Sequence, residues 1–218
     1  DFETALPIWY MFWSTRGTYS SPMLQGDLDR LTSFYQDKGF MDFTIESTQV
    51  SLSKNKEEVY ITININEGKQ YIVEKIHVSG KLIAPIHEIA ELIEIKTGEY
   101  ISKAKILQST ENIKARLGEE GYAFSRINAM PGKTKEGDTV DVNFFIDPGT
   151  RAYVRRINIS GNITTQDEVL RREIRQMEGG WYSSSAILLS KKRLKRLAYV
   201  DNVIVEEVRV PGSANKVD

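Results

Sequence analysis

The sequence predicts an α+β protein built as an array of small two-layer modules, each ordered β-α-α-β-β. Three observations carry this. A spacing recurs: Gly68, Ile76, Gly80, Gly98 and Tyr100 are matched 81 residues later by Gly149, Ile157, Gly161, Gly179 and Trp181, and a fixed period marks a repeat. Two runs alternate strictly, Val59, Ile61, Ile63, Ile65 and Val140, Val142, Phe144, Ile146, which is the pattern of strands with one buried face. Two others place apolar groups at i, i+4, i+7 and i+11, Leu24, Leu28, Leu31, Tyr35 and Ile106, Thr110, Ile113, Leu117, the stripe of a one-sided helix. Modules of under about 80 residues bury only about 60% of their unfolded surface, so neighbours must stabilise one another. Two helices cover one face of a three-stranded mixed sheet. The other face and a strand edge are then left open.

The first piece, residues 1–70, opens on the aromatic run Ile8-Trp9-Tyr10-Met11-Phe12-Trp13. Clustered aromatics usually fill cores, and this run is read as packing before it is read as a partner surface. Ser21-Pro22 starts a helix, with Ser as cap and Pro tolerated in the first turn, and Gly39 ends it. A strand over Asp42 to Leu52 follows. Its apolar parity switches between Phe43, Ile45 and Val50, Leu52, which predicts a bulge near Ser47 to Gln49. Lys54-Asn55-Lys56 is the turn into the Val59 strand. The piece lacks a leading strand and reads as truncated.

The middle piece, 71–148, reads as complete. A strand runs from Tyr71 to Ser79. A helix begins at Pro85 with Ile86, Ile89, Ala90 and Ile93 on one face and closes at Gly98, and a second ends at Gly121. Strands follow over Ala123 to Ala129 and Val140 to Ile146, joined by Glu136-Gly137-Asp138.

The third piece, 149–218, repeats the plan. A strand covers Ala152 to Ser160. Thr165-Gln-Asp-Glu168 fits a capping box for a helix whose stripe is Val169, Leu170, Ile174 and Met177. A second helix over Ser184 to Leu197 sets Ile187, Leu194 and Leu197 against Lys191, Lys192, Arg193, Lys195 and Arg196. Val203 to Val210 is a strand with another parity switch. The final strand is expected to be missing, so this module too reads as truncated.

Composition narrows the chemistry. Of 218 residues, 40% are hydrophobic and 27% charged, an ordinary globular balance. There is no cysteine, so thiolate metal sites and disulfides are excluded. No apolar run reaches the roughly 20 residues of a membrane-spanning helix. The chain opens at Asp1 without a signal peptide, which is read as either a cytosolic protein or an internal fragment, soluble in itself. Net charge is −1, yet residues 1–148 hold 16 Lys+Arg against 22 Asp+Glu and residues 149–218 hold 13 against 8. A basic end on an acidic body points to an anionic surface or partner at that end.

An enzyme is not expected, and neither a cofactor nor a metal. His77 falls in a strand and His87 in a helix, with no spacing for a metal or a triad. Glu88, Glu91 and Glu94 form a solvated helix face. No glycine-rich phosphate loop is present. A βααββ array with a basic helix superficially suits RNA, but the body is acidic and no stacking-aromatic motif appears. Nucleic acid is therefore not expected. The basic residues suit anionic lipid headgroups at least as well.

Several segments resemble a known family. They are Val169-Leu-Arg-Arg-Glu-Ile-Arg-Gln-Met-Glu-Gly179, Arg209-Val-Pro-Gly-Ser213 with Val217-Asp218, Ser47-Thr-Gln-Val-Ser-Leu52, and Asn66-Glu-Gly68 before Tyr71. Together they resemble the periplasmic part of the Omp85 family, whose βααββ module is the POTRA domain, here similar to the third, fourth and fifth. The resemblance implies a scaffold at the periplasmic face of a Gram-negative outer membrane. It would receive unfolded outer-membrane proteins, hold accessory lipoproteins and lead into a C-terminal barrel. A POTRA array of a secretion or translocation transporter is the alternative. The resemblance places the second strand of each module at the sheet edge: Asp42 to Leu52, Ala123 to Ala129 and Val203 to Val210. Phe43, Ile45 and Val50 are then expected to flank a client-binding edge that pairs with an incoming strand. Arg171, Arg172, Glu173 and Arg175 are expected to dock a lipoprotein, with the Asn55, Glu58, Val59 hairpin turn as a second docking point. Intramolecular ion pairs are the plainer reading of the charged helix.

Overall fold

The computed structural model describes residues 21–53, 59–134, 137–163, 165–213 and 215–218. The aromatic run Ile8 to Trp13 and the Lys54 to Lys56 turn lie outside the described residues. The chain forms two compact units: residues up to 75 with 95–105 and 133–141, and residues 76–94, 106–132 and 142–218.

Helix α1 spans Ser21–Asp37. Leu24, Leu28, Leu31 and Tyr35 are all partly covered, as the spacing predicts. Gly39 ends it with φ +100°, a conformation that glycine adopts freely. Strand β1 (Thr44–Leu52) pairs antiparallel with β2 (Val59–Asn66). The expected bulge exists, one residue earlier than predicted: Ile45 faces Ile65 and Ser47 faces Asn64, leaving Glu46 as the extra residue. The slip reconciles the two parities. Ile45, Thr48 and Val50 now stand opposite Ile65, Ile63 and Ile61 on one face.

The middle module is β3 (Ile72–Gly80), α2 (Ile86–Glu91), α3 (Lys103–Glu119), β4 (Arg126–Lys133) and β5 (Thr139–Asp147). Its strand order is β3-β5-β4, so the last strand is central. Ile72 N donates to Asp138 O at 3.0 Å and Lys81 N to Ile146 O at 2.9 Å. That register makes β3 and β5 parallel, and the sheet mixed. Val140, Val142, Phe144 and Ile146 are at most 1% exposed, whereas Asn143, Phe145 and Asp147 face solvent. One face of the central strand is thus core, as a two-layer module requires. In α3 the stripe holds, with Ile113 and Leu117 buried. In α2 it does not: Ile86 is 60% exposed and only Ile89 is buried, because one and a half turns present a single residue inward.

The third module departs most from expectation. β6 is Tyr153–Val154 alone, shorter than the predicted Ala152 to Ser160. α4 covers Asp167–Arg171 and α5 covers Ser184–Leu194. No capping box forms. The N-cap is Gln166 with no side-chain bond, and Glu168 is then one position early to reach back. Asp167 and Glu168 instead favour the positive helix start as charges. Leu170 is buried, but Val169 is 37% and Met177 75% exposed, since the helix ends before Met177 could join its face. Val203 to Val210 is not a strand; it makes one bridge, Arg209 to Val217. Where no final strand was expected there is a two-residue one: β7, Lys216–Val217, pairs parallel with β6. Ala152, Val154, Tyr182 and Val217 form this module's buried cluster, completed by Ala123 of the middle module.

The repeat is visible bond by bond. Gly98 N donates to Val73 O at 2.8 Å and Gly179 N to Val154 O at 2.7 Å. Ile72 bridges Tyr100, and Tyr153 bridges Trp181. Ser109 Oγ accepts from Glu94 N at 2.8 Å and Ser190 Oγ from Arg175 N at 2.7 Å.

Candidate functional site

A strand edge can act only if its backbone groups are unpaired, so the three predicted edges separate quickly. β1 pairs with β2 on one side, and its other side meets no strand among the described residues. It contains no proline. β4 is also an edge, but Pro131 removes one of its donors, a common way of blunting an edge. The third, Val203 to Val210, offers no ladder. Of the three predicted edges, β1 is therefore the intact template among the described residues.

The three residues predicted to flank it differ. Phe43 precedes the strand and is 4% exposed, its ring stacked on Tyr35 with centroids 4.2 Å apart. It anchors the strand to α1 and cannot meet a client by its side chain. Ile45 is half-buried and Val50 is 45% exposed. Leu52, 64% exposed, extends the apolar face and was singled out only through its parity. An arriving strand would find free backbone groups beside an apolar strip.

The charged helix is mostly self-satisfied. Arg171 binds Asp167 at 2.7 Å, Glu178 at 3.2 Å and the Ile157 carbonyl at 2.8 Å. These acids hold its guanidinium in the charged form, with Asp167 foremost. Glu173 accepts from Arg193 Nε of α5 at 2.7 Å. Arg172 and Arg175 are exposed, and their side chains make no ion pair among the described residues. Of the four residues predicted to dock a partner, these two present free charge. Asn55 and Glu58 lie outside the described residues, and Val59 is the first residue of β2, 36% exposed.

The third module also carries a 560 Å³ groove, lined by Ile157, Leu170, Ile174, Tyr182, Leu194 and Val217 among others. Tyr182 is buried there and bonds Glu207 at 3.1 Å. Burial first, then that carboxylate, raises its hydroxyl above the usual tyrosine range, so it stays protonated. No group of residues able to hold a metal occurs among the described residues, and no described helix is long and apolar enough to cross a membrane. The arrangement offers backbone edges and charged faces to chains and surfaces, and no catalytic motif accompanies it among the described residues.

The fold has known relatives. The family model described as POTRA, surface antigen variable number repeat, matches residues 10–68, 71–149 and 152–218. The outer membrane protein assembly factor BamA of Neisseria meningitidis is 35% identical over 208 residues, covering 94% of this chain and 26% of that protein. The same-named protein of Buchnera aphidicola is 32% identical, covering 96% and 34%. Among solved structures, POTRA3-5 of Haemophilus influenzae BamA superposes with a TM-score of 0.84 at 29% identity, covering 99% of this chain and 85% of that one. BamA of Haemophilus ducreyi lacking POTRA domains 1-3 gives 0.55 at 35% identity, covering 68% and 28%. The chain thus spans roughly a quarter to a third of the length of the curated relatives it matches.

Proposed function

Because the chain belongs to the POTRA family, as an array of the kind found in BamA and Omp85 proteins, we propose that it is the periplasmic scaffold of an outer-membrane β-barrel assembly protein. It receives unfolded outer-membrane proteins by β-augmentation and holds accessory lipoproteins beside a C-terminal barrel. The observation that carries the reading is the proline-free edge of β1, open among the described residues. Clients that share only alternating strands are recognised through main-chain bonds, which every sequence offers. An apolar strip at Ile45, Val50 and Leu52 adds preference for strands with one greasy face.

Adjacent positions of a strand point their N–H groups to opposite sides. Gln49→Pro and Val50→Pro therefore test the edge as a pair: one removes a donor from the β1–β2 ladder, the other a donor from the open side. The open-side variant should lose photocrosslinking to an unfolded outer-membrane protein while its melting temperature holds. Capture that survives both substitutions sinks the proposal.

The lipoprotein face is assigned to Arg172 and Arg175, with Glu173 available only when Arg193 releases it. Charge reversal of Arg172 and Arg175 together should weaken lipoprotein pull-down, chiefly by slowing association. Arg193→Ala should strengthen it, because Glu173 is then free for a partner's cation. Pull-down indifferent to all three positions rejects this face.

A further inference from the structure

α5 and α3 hold equivalent places in successive modules, and the comparison isolates a difference that folding does not explain. In α5, Ile187 and Leu194 are covered and Ser190 is buried. The opposite side carries Leu188, Leu189 and Lys192, then Lys195 at the C-cap and Arg196 in the closing turn. Leu188 is 53% and Leu189 48% exposed. Lys192, Lys195 and Arg196 are exposed and make no ion pair among the described residues. No acid lies between Glu178 and Asp201. The positions 81 residues earlier, on α3, are Leu107, Gln108, Glu111, Lys114 and Ala115. That face has one leucine and no net charge. Packing demands are alike at the two helices, so two bare leucines ringed by three unpaired cations are not a requirement of the module.

We infer that the outward face of α5 binds an anionic lipid surface. Adjacent leucines flanked by cations match a helix that lies in the headgroup region, with apolar groups dipping and ammonium or guanidinium groups reaching phosphate. Long Lys and Arg stems can sink along an apolar boundary while their charged ends stay wet. Tyr199, 55% exposed just past the helix, supplies an amphipathic ring suited to the same boundary. An acidic protein or a nucleic acid would use the cations but gain nothing from Leu188 and Leu189. The face also agrees in sign with the surplus of basic over acidic residues in 149–218.

The test is vesicle flotation of the whole chain with phosphatidylcholine alone and with phosphatidylcholine plus phosphatidylglycerol. Binding is expected only with the anionic vesicles and should fall as salt rises. K192E/K195E/R196E should weaken it about a hundredfold or more, at roughly fivefold per charge lost near the surface. L188S/L189S should weaken it at unchanged charge. K81E/K96E/K114E, an equal change of net charge elsewhere, should bind as the parent does. Melting curves of all variants confirm folding. Equal binding to neutral vesicles, indifference to the first two variants, or equal loss in the third overturns the inference. So does salt-sensitive binding to soluble heparin with none to vesicles, which would assign the face to an acidic macromolecule.

Discussion

Asp42 is a single residue on which two modules meet. Both of its carboxylate oxygens accept from Lys133 Nζ at 2.8 Å, and Oδ2 also accepts from the Tyr71 hydroxyl at 2.8 Å. Lys133 first, then Tyr71, holds the carboxyl below its ordinary range. A carboxyl depressed in the folded state contributes stability that is present above the unfolded value, about 4, and lost as pH falls through the folded value. Asp42→Asn should therefore flatten the acid limb of the stability–pH curve, read by denaturant melts taken at stepwise lower pH. An unchanged limb would show that Asp42 does not couple the modules. Glycines make a second residue-scale contrast. At Gly80, φ is +102° and an added Cβ would sit 2.2 Å from the Ile146 carbonyl oxygen. At its repeat mate Gly161, φ is +83° but nothing lies within 4 Å. Gly161→Ala should cost only backbone strain, about 1 kcal/mol, and Gly80→Ala clearly more, because the sheet must move aside. Equal costs in thermal melts would refute the contrast.

At the scale of elements, the sequence was most legible where a long element buries one face. α1, α3, β2 and β5 follow from spacing alone, because each turns a stripe with the element's own period inward, fully covered in β5 and partly covered in α1 and β2. The β1 bulge was legible for the same reason, although the extra residue, Glu46, is polar and exposed and so gave no signal of its position. Short elements were not legible. The Thr165 to Glu168 signature has the composition of a capping box, yet the helix starts one residue later, since Asn162 Nδ2 binds the Thr165 carbonyl at 3.0 Å and holds that residue in a turn. Val203 to Val210 has strand propensity, but with only Lys216–Val217 of the next strand beside it it has no continuous partner. For the proposed sites, residue type marked the apolar edge and the charged helix. It could not say that Phe43 is core or that Glu173 is already bound to Arg193. The caps make this testable. Ser183 Oγ accepts from Ala186 N at 3.3 Å, so Ser183→Ala should lower stability by about 1 kcal/mol. Thr165→Ala should stay within about 0.5 kcal/mol. A larger loss at Thr165 than at Ser183 in urea titrations would restore the capping box.

At the scale of the molecule, the array depends on how each module is joined to the next, and the two joints share a plan. Tyr71 N donates to Gly39 O at 2.9 Å in one, and Ala152 N donates to Gly121 O at 2.8 Å in the other. In each, the second helix of one module runs into the start of the second helix of the next. The chemistry differs. At the first joint Asp37 Oδ1 accepts from Ala104 N at 2.7 Å, capping α3 from outside its own module, and Lys103 Nζ reaches Gln36 at 2.9 Å. At the second, Gly118 allows such close approach that an added Cβ would lie 2.8 Å from Ser184 Cβ. Arg209 covers the Phe124 ring at 4.3 Å, and Ser184 Oγ donates to Ala115 O at 2.7 Å. Asp37→Ala removes a helix cap, worth about 1 kcal/mol, and removes it from a module that Asp37 does not belong to. Hydrogen exchange should then quicken at the first amides of α3 while α1 keeps its protection. Gly118→Val should leave α3's start untouched and quicken exchange around Ser184 instead, because the bulkier side chain pushes the following helix away. If Asp37→Ala instead loosens its own helix, or if Gly118→Val is silent, the joints are mere contacts. The modules would then fold independently.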